Sequence, residues 1–375
     1  MRQIISARNI SLNTRKISRL IVGSLLGAIA LLVVACGGGN TINTPTAVPS
    51  AARVNVFGTD ANHPHALLAF KDHTLLLATH YGLFWSNNGG TSWSEVAGGA
   101  NQIMDGLMTY SLTSSPLNAK RVYVLTQPAL NPHKGTLGLY TSSDEGHTWQ
   151  LAIPTSSVAS GGNIYLAAAG NSSPDEVFIY VQALGPNGLK VSKDDGQHFS
   201  AAGTLPPTFG DLTALLPIPG EPGTLLASSS AGMARSTDDG EHWTVIKSVT
   251  GGIFGGIVTS GPNEPIYAAG DAGVYASNDG GQSFTLVNSG VDYSGLTVAQ
   301  TQPQTLYGHT AAAVYHSVDG GKTWSPLPHI AGNLFGLAAD PNDASQVYLS
   351  LSYPTAVYYY NAQQGKWTSL TPKAS

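Results

Sequence analysis

The stretch Ser142-Ser143-Asp144-Glu145-Gly146-His147-Thr148-Trp149 decides how this chain folds, because it keeps coming back. It recurs as Ser236-Thr237-Asp238-Asp239-Gly240-Glu241-His242-Trp243 and as Ser317-Val318-Asp319-Gly320-Gly321-Lys322-Thr323-Trp324. Two further copies end in Phe: Ser192 to Phe199 around Asp194, and Ser277 to Phe284 around Asp279. An earlier copy, Ser86 to Trp93, carries Asn88 at the Asp position, and a degenerate last copy runs from Tyr360 to Trp367. Asp and the glycines stand where a hairpin needs a side-chain acceptor for its turn amides and a positive φ. The closing Trp or Phe offers a large apolar surface to bury against a neighbouring unit.

Each unit also reads as four short strands. In the sixth, Gly295-Leu296-Thr297-Val298-Ala299 is followed by Thr305-Leu306-Tyr307-Gly308, then Ala313-Val314-Tyr315-His316-Ser317, then Thr323-Trp324-Ser325. Four antiparallel strands in about 46 residues make the blade of a β-propeller. The expected fold is all-β: a single seven-bladed β-propeller of four-stranded antiparallel blades over residues 53–375. Because the last unit ends near the terminus, ring closure is expected to borrow a strand from near Val54-Asn55-Val56.

The repeated motif resembles the Asp-box, or BNR, repeat. That resemblance implies a box in the turn between third and fourth strands, on the face away from any active site. Asn88, Asp144, Asp194, Asp238, Asp279 and Asp319 are therefore expected to be structural rather than calcium-binding or catalytic. Asp-box propellers include sialidases, xyloglucan hydrolases, sortilin-type receptors and a photosystem II assembly factor, so the resemblance implies architecture and leaves activity open.

Composition agrees. Only 10% of the 375 residues are charged, while 44 are Gly and 22 are Pro. Soluble proteins average roughly 25% charged residues. Few charges, 42% hydrophobic residues and many turn formers exclude helical bundles and long disordered regions. Lys and Arg total 17 against 22 Asp and Glu. Arg2, Arg8, Arg15, Lys16 and Arg19 all precede the first acid, Asp60, so the rest of the chain carries about −10. No basic face for nucleic acid can be assembled from it.

Those five cations precede an apolar run from Leu20 to Ala35, too short for a typical membrane span and suited to a signal-peptide core. Val33-Val34-Ala35-Cys36 resembles a bacterial lipobox, which implies that Cys36 becomes the lipid-modified first residue. It is the only cysteine, so disulfides play no part. The expected organisation is a lipoprotein signal peptide (1–35), a lipid-anchored flexible tether (36–52) and the propeller (53–375). An uncleaved anchor is the alternative, and both place the propeller outside the cytoplasm, on the outer side of a bacterial membrane. A closed ring offers no free sheet edge, so a monomer is expected.

Sialidase chemistry would require three arginines on the substrate carboxylate and a carboxylate-assisted tyrosine. Beyond Cys36 only Arg53, Arg121 and Arg235 remain, with Arg235 beside a box, so that chemistry is excluded. The resemblance to the photosystem factor weakens similarly, because that family uses an arginine-rich surface.

Loops joining strands 2 to 3, and strand 4 to the next strand 1, share the other face. There the sequence concentrates His63, His65, His80 and Asp105, and separately Asp211, Asp271, Asp292, Tyr293 and His309. The segment from His63-Pro64-His65 through His80-Tyr81-Gly82-Leu83 to Asp105 resembles bacterial Asp-box propellers classed as glycosyl hydrolases. It departs from them at Asp105-Gly106-Leu107-Met108 and at Thr126-Gln127-Pro128, which puts that activity in doubt here. Residues 63 and 65 can face one ion only if a bulge turns one of them, since alternate residues share a face. With His80 and Asp105 they would form a three-nitrogen, one-oxygen set suited to zinc or a similar divalent ion. The same residues serve equally as hydrogen-bonding groups around a wet channel, or as direct carbohydrate contacts. The leading expectation is a binding or scaffolding module at the cell surface, engaging an envelope protein or a carbohydrate. The alternative is a glycoside hydrolase or related carbohydrate-active enzyme using paired carboxylates at the channel mouth.

Overall fold

The computed structural model describes residues 62–159, 162–353 and 355–371; Cys36, the apolar run before it and the tether lie outside the described residues. Seven four-stranded antiparallel sheets follow one another along the described chain. Blade 1 comprises Pro64–Ala69, Leu75–Thr79, Gly82–Ser86 and Ser94–Ala97, paired in that order. The other innermost strands are Leu107–Ser115, Ile164–Ala169, Leu212–Pro217, Ile253–Thr259, Gly295–Val298 and Asn333–Ala339, each packed beside the next in the ring. Among the described residues no helix is long and apolar enough to cross a membrane.

Burial follows from this radial stacking. Second strands are covered by neighbouring blades on both faces, so Leu75–Thr79, Val177–Val181, Leu225–Ser229 and Ile266–Gly270 are buried at every position. Fourth strands form the rim, and Ser200–Ala201, Thr244–Val245 and Ser325–Pro326 are exposed throughout. The core is therefore distributed between blades. Leu76 and Leu83 of blade 1 pack with Leu107, Val122 and Tyr140 of blade 2, and similar clusters join the later pairs.

Ring closure differs from the sequence expectation. The last blade supplies its own outer strand, Lys366–Ser369, paired on Ala356–Asn361, so among the described residues no sheet needs a borrowed strand. Val54, Asn55 and Val56 themselves lie outside the described residues. Side chains bridge the seam between the last blade and the first among the described residues. Trp93 Nε1 donates to the Leu370 carbonyl at 2.9 Å, and Asn342 Nδ2 donates to the Lys71 carbonyl at 3.0 Å. Leu75, Leu77 and Phe84 pack against Tyr348 and Val357 across the same seam.

The boxes are hydrogen-bonded latches. In blade 2, Asp144 Oδ1 accepts from Ser142 Oγ and from the Thr148 amide, both at 2.8 Å, while Oδ2 accepts from Thr148 Oγ1 at 2.6 Å. Ser142 Oγ in turn accepts from the buried Gly146 amide at 2.9 Å. Asp194, Asp238, Asp279 and Asp319 repeat the scheme, taking the amides of His198, His242, Ser283 and Thr323. Asn88 preserves it with an amide: its Oδ1 accepts from Ser86 Oγ and the Ser92 amide, and its Nδ2 donates to Ser92 Oγ. Gly146 is required twice over, since its φ is +83° and a Cβ there would sit 2.3 Å from Leu76 of the preceding blade. The box tryptophans are only half-buried, with Trp149 and Trp324 donating to the Gly146 and Gly321 carbonyls.

Candidate functional site at the channel mouth

Blade 1 starts with a β-bulge. Pro64 pairs with Thr79 and Ala66 with Ala78, which leaves His65 as the extra residue. A bulge re-aims the side chain it carries, and here it brings His65 towards His63. Their ring centroids lie 4.6 Å apart. His80 follows the second strand directly; its amide donates to the His63 carbonyl at 2.9 Å, and its ring stacks on that of His63 at 4.9 Å. One ring nitrogen from each of His63, His65 and His80 falls within 4.8 Å of the others.

Asn62, absent from the sequence expectations, holds this arrangement. It is fully buried. Its Oδ1 accepts from the amides of His63 and Tyr81, each at 3.0 Å, and its Nδ2 donates to Thr79 Oγ1 at 3.2 Å. One side chain therefore ties the start of the inner strand to the turn that follows His80. No feature of the local sequence singles Asn62 out, because two of its three partners, Thr79 and Tyr81, are 17 and 19 residues away.

Three aromatic rings wall the imidazoles. Tyr81 meets His80 edge-on at 4.6 Å, Tyr353 of blade 7 lies 4.8 Å from His63, and Phe335 lies 6.5 Å from His65. Phe335 occupies the bulge of its own inner strand, between Leu334 and Gly336, as His65 does in blade 1. Phe254 lies within the bulged stretch of blade 5. Of the walls, Phe335 and Tyr353 are open to solvent, at 40% and 51% exposed, and Phe254 of blade 5 is 47% exposed.

The imidazoles are held neutral. Burial pulls His65 down to about 3, helped by the charge it would share with His63 and His80. Burial, then His80, lowers His63 to about 4, and burial also lowers His80. Neutral rings present lone pairs, the form that ligates a metal.

The other candidates separate into three groups. Asp105 is buried in the loop entering blade 2, where its carboxylate accepts from the Asn101 amide at 2.8 Å and its carbonyl from the Lys134 and Gly135 amides. Its carboxylate is not brought into the imidazole group, so the expected three-nitrogen, one-oxygen set becomes a three-nitrogen set. The physical reason is the tight loop, in which the Asn101 amide takes the carboxylate and the Lys134 ammonium lies 4.0 Å from it. Tyr293 and His309 are both buried rather than presented at the mouth. Tyr293 packs against Tyr315 and Trp324, and burial raises its phenol pKa. His309 Nδ1 lies 3.1 Å from the Thr310 carbonyl, and burial lowers its pKa. Asp211, Asp271 and Asp292 remain exposed. Asp211 accepts from Gln182 Nε2 at 2.6 Å, and Asp271 from the Gly252 amide at 3.2 Å.

The two described arginines do structural work. Arg121 bridges blade 2 to Asp175 and Asp195 of blade 3 at 2.9 and 2.8 Å. Arg235 pairs with Glu221 at 3.1 Å and donates to the Gly280 carbonyl of the next blade at 2.9 Å.

Comparison with known proteins follows the same lines. A family model described as the BNR/Asp-box repeat matches residues 315–326, the hairpin of blade 6. The repeat is an Asp-box. A Paenibacillus xyloglucanase is 26% identical to the chain over 275 residues, covering 70% of this chain and 21% of that protein. The chain thus spans about a fifth of that relative. Two solved structures share the propeller fold with TM-scores of 0.63: a GH74 enzyme from Niastella koreensis, at 18% identity over 81% of this chain and 53% of that one, and a GH74 xyloglucanase from Xanthomonas campestris, at 16% identity over 84% and 55%. YCF48 from Cyanidioschyzon merolae aligns at 14% identity and TM-score 0.59, over 81% of this chain and 97% of that one.

Proposed function

We propose that this Asp-box propeller is a binding module that takes a carbohydrate at the channel mouth opposite its boxes. We further propose that Cys36 tethers it by lipid to the outer side of a bacterial membrane. The observation that carries the reading is the exposed aromatic pair Phe335 and Tyr353 beside the imidazole trio. Large apolar rings left open at a rigid rim are suited to covering the face of a ligand. Similarity to a xyloglucanase supports a glycan as that ligand.

Titration of the protein with xyloglucan oligosaccharides and a panel of other β-glucan fragments tests this. Phe335→Ala or Tyr353→Ala should weaken binding about tenfold, the equivalent of about 1.4 kcal/mol. Absence of binding across the panel, or binding indifferent to both substitutions, would reject it. The same xyloglucanase similarity favours a second reading, hydrolysis by two of the exposed acids Asp211, Asp271 and Asp292. Release of reducing ends that is abolished by neutralising one of them would establish that reading. For the anchor, Cys36→Ser should move the protein from the membrane fraction to the soluble exported fraction.

A further inference from the structure

We propose that His63, His65 and His80 form a site for one zinc-class divalent cation whose remaining coordination position opens to the channel mouth. The site stands independently of whether the mouth takes a glycan.

Three observations carry it. First, the donors converge: one nitrogen from each ring lies within 4.8 Å of the other two. Zinc–nitrogen bonds of about 2.0–2.1 Å in a tetrahedral site need donors about 3.3 Å apart. Modest side-chain rotations close that difference while the backbone stays in place. Second, His63 Nδ1 and His65 Nε2 are buried without a hydrogen-bond partner. Buried polar atoms are nearly always satisfied, and a shared cation satisfies several lone pairs at once. Third, the backbone that carries the rings is fixed in advance. The bulge turns His65, and Asn62 clamps the amides of His63 and Tyr81.

The donor set selects the metal. Imidazoles suit zinc, copper, nickel and cobalt, while calcium and magnesium require oxygen ligands that this group lacks. Three protein ligands with an open position are the arrangement that lets a bound metal accept a water or an external oxygen donor. The half-buried rings beside solvent-exposed Tyr353 and Phe335 leave room for such a donor.

The test is metal content and cobalt spectroscopy on the full chain. After equilibration with zinc and removal of the excess, one equivalent should remain. Cobalt substitution should give the intense visible bands of a four-coordinate site with three nitrogen donors, erased by a chelator. His63→Ala, His65→Ala and His80→Ala should each weaken affinity by at least about 100-fold, while Asp105→Asn leaves stoichiometry unchanged. Thermal unfolding of the metal-free variants shows whether each is folded, and the wild-type cobalt spectrum needs no variant at all. A wild-type protein that retains no zinc and yields no cobalt bands overturns the site. So does stoichiometric metal that survives all three substitutions in folded protein.

Discussion

Replacing Ser317 with Ala probes the latch on which the whole ring depends. Ser317 is 2% exposed. Its Oγ donates to Asp319 at 2.9 Å and accepts from the buried Gly321 amide at 2.9 Å. The variant leaves Asp319 with the Lys322 and Thr323 amides and Thr323 Oγ1, so the carboxylate is still satisfied. The Gly321 N–H has no substitute acceptor inside a turn that neighbouring side chains cover. A buried donor left unpaired costs about 1–3 kcal/mol. At roughly 2 °C per kcal/mol for a chain of this size, the melting temperature should fall by about 2–6 °C. Ser283→Ala is the matched control, because that hydroxyl is exposed and its backbone amide still reaches Asp279 at 3.0 Å. Its cost should stay within about 0.5 kcal/mol. Scanning calorimetry of the two variants decides the matter, and a Ser317→Ala shift no larger than the control's would refute the latch. Ser142→Ala, in a box sharing none of these partners, should add to Ser317→Ala within about 0.5 kcal/mol.

Three further outcomes are expected. The Thr323 hydroxyl and amide bonds to Asp319 hold its carboxyl at about 2, and hydrogen bonds from His198 do the same for Asp194. A depressed folded pKa stabilises above the ordinary 3.8 and is lost as pH falls towards 2, so Asp319→Asn should flatten the acid limb of melting temperature against pH in that window; an unchanged limb would contradict this. Tyr307→Phe deletes a buried 2.7 Å bond to the Ala344 carbonyl that ties blade 6 to blade 7, and should cost about 1–3 kcal/mol in chemical unfolding. Arg121→Met unpairs Asp195, already pushed upward in pKa by burial, and leaves half-exposed Asp175 to water. The loss should be about 1–3 kcal/mol, below that of a fully buried pair, and should shrink as pH falls and Asp195 takes up a proton.

The fold was legible because its information is local and repeated. Ser142, Asp144 and Gly146 satisfy one another within five residues, and the same solution recurs in blade after blade. Even the Asn88 box could be read, since an amide fills the same geometry. Blade strands announced themselves by short apolar runs whose burial follows from radial stacking. Closure was not legible. The borrowed strand was inferred from chain length, whereas the seam is made by Trp93 on Leu370 and Asn342 on Lys71, contacts spanning almost the entire described chain.

The site divides in the same way. The spacing of His63, His65 and His80, with the condition that a bulge must turn one of them, could be stated from residues alone. Whether a bulge exists depends on the pairing of Pro64 with Thr79 and of Ala66 with Ala78, which is a property of two strands together. Asp105, Tyr293 and His309 had the right chemistry on the right loops. Their orientation was decided by competition from the Asn101 amide and from buried neighbours. Phe335 and Tyr353 reach the imidazoles only because the ring brings blade 7 beside blade 1. The sequence by itself determined the repeat, the blade and the face on which polar chemistry collects, because each rests on neighbours in the chain. Tertiary structure decided which side chains meet, because convergence across strands and blades is set by register and ring closure.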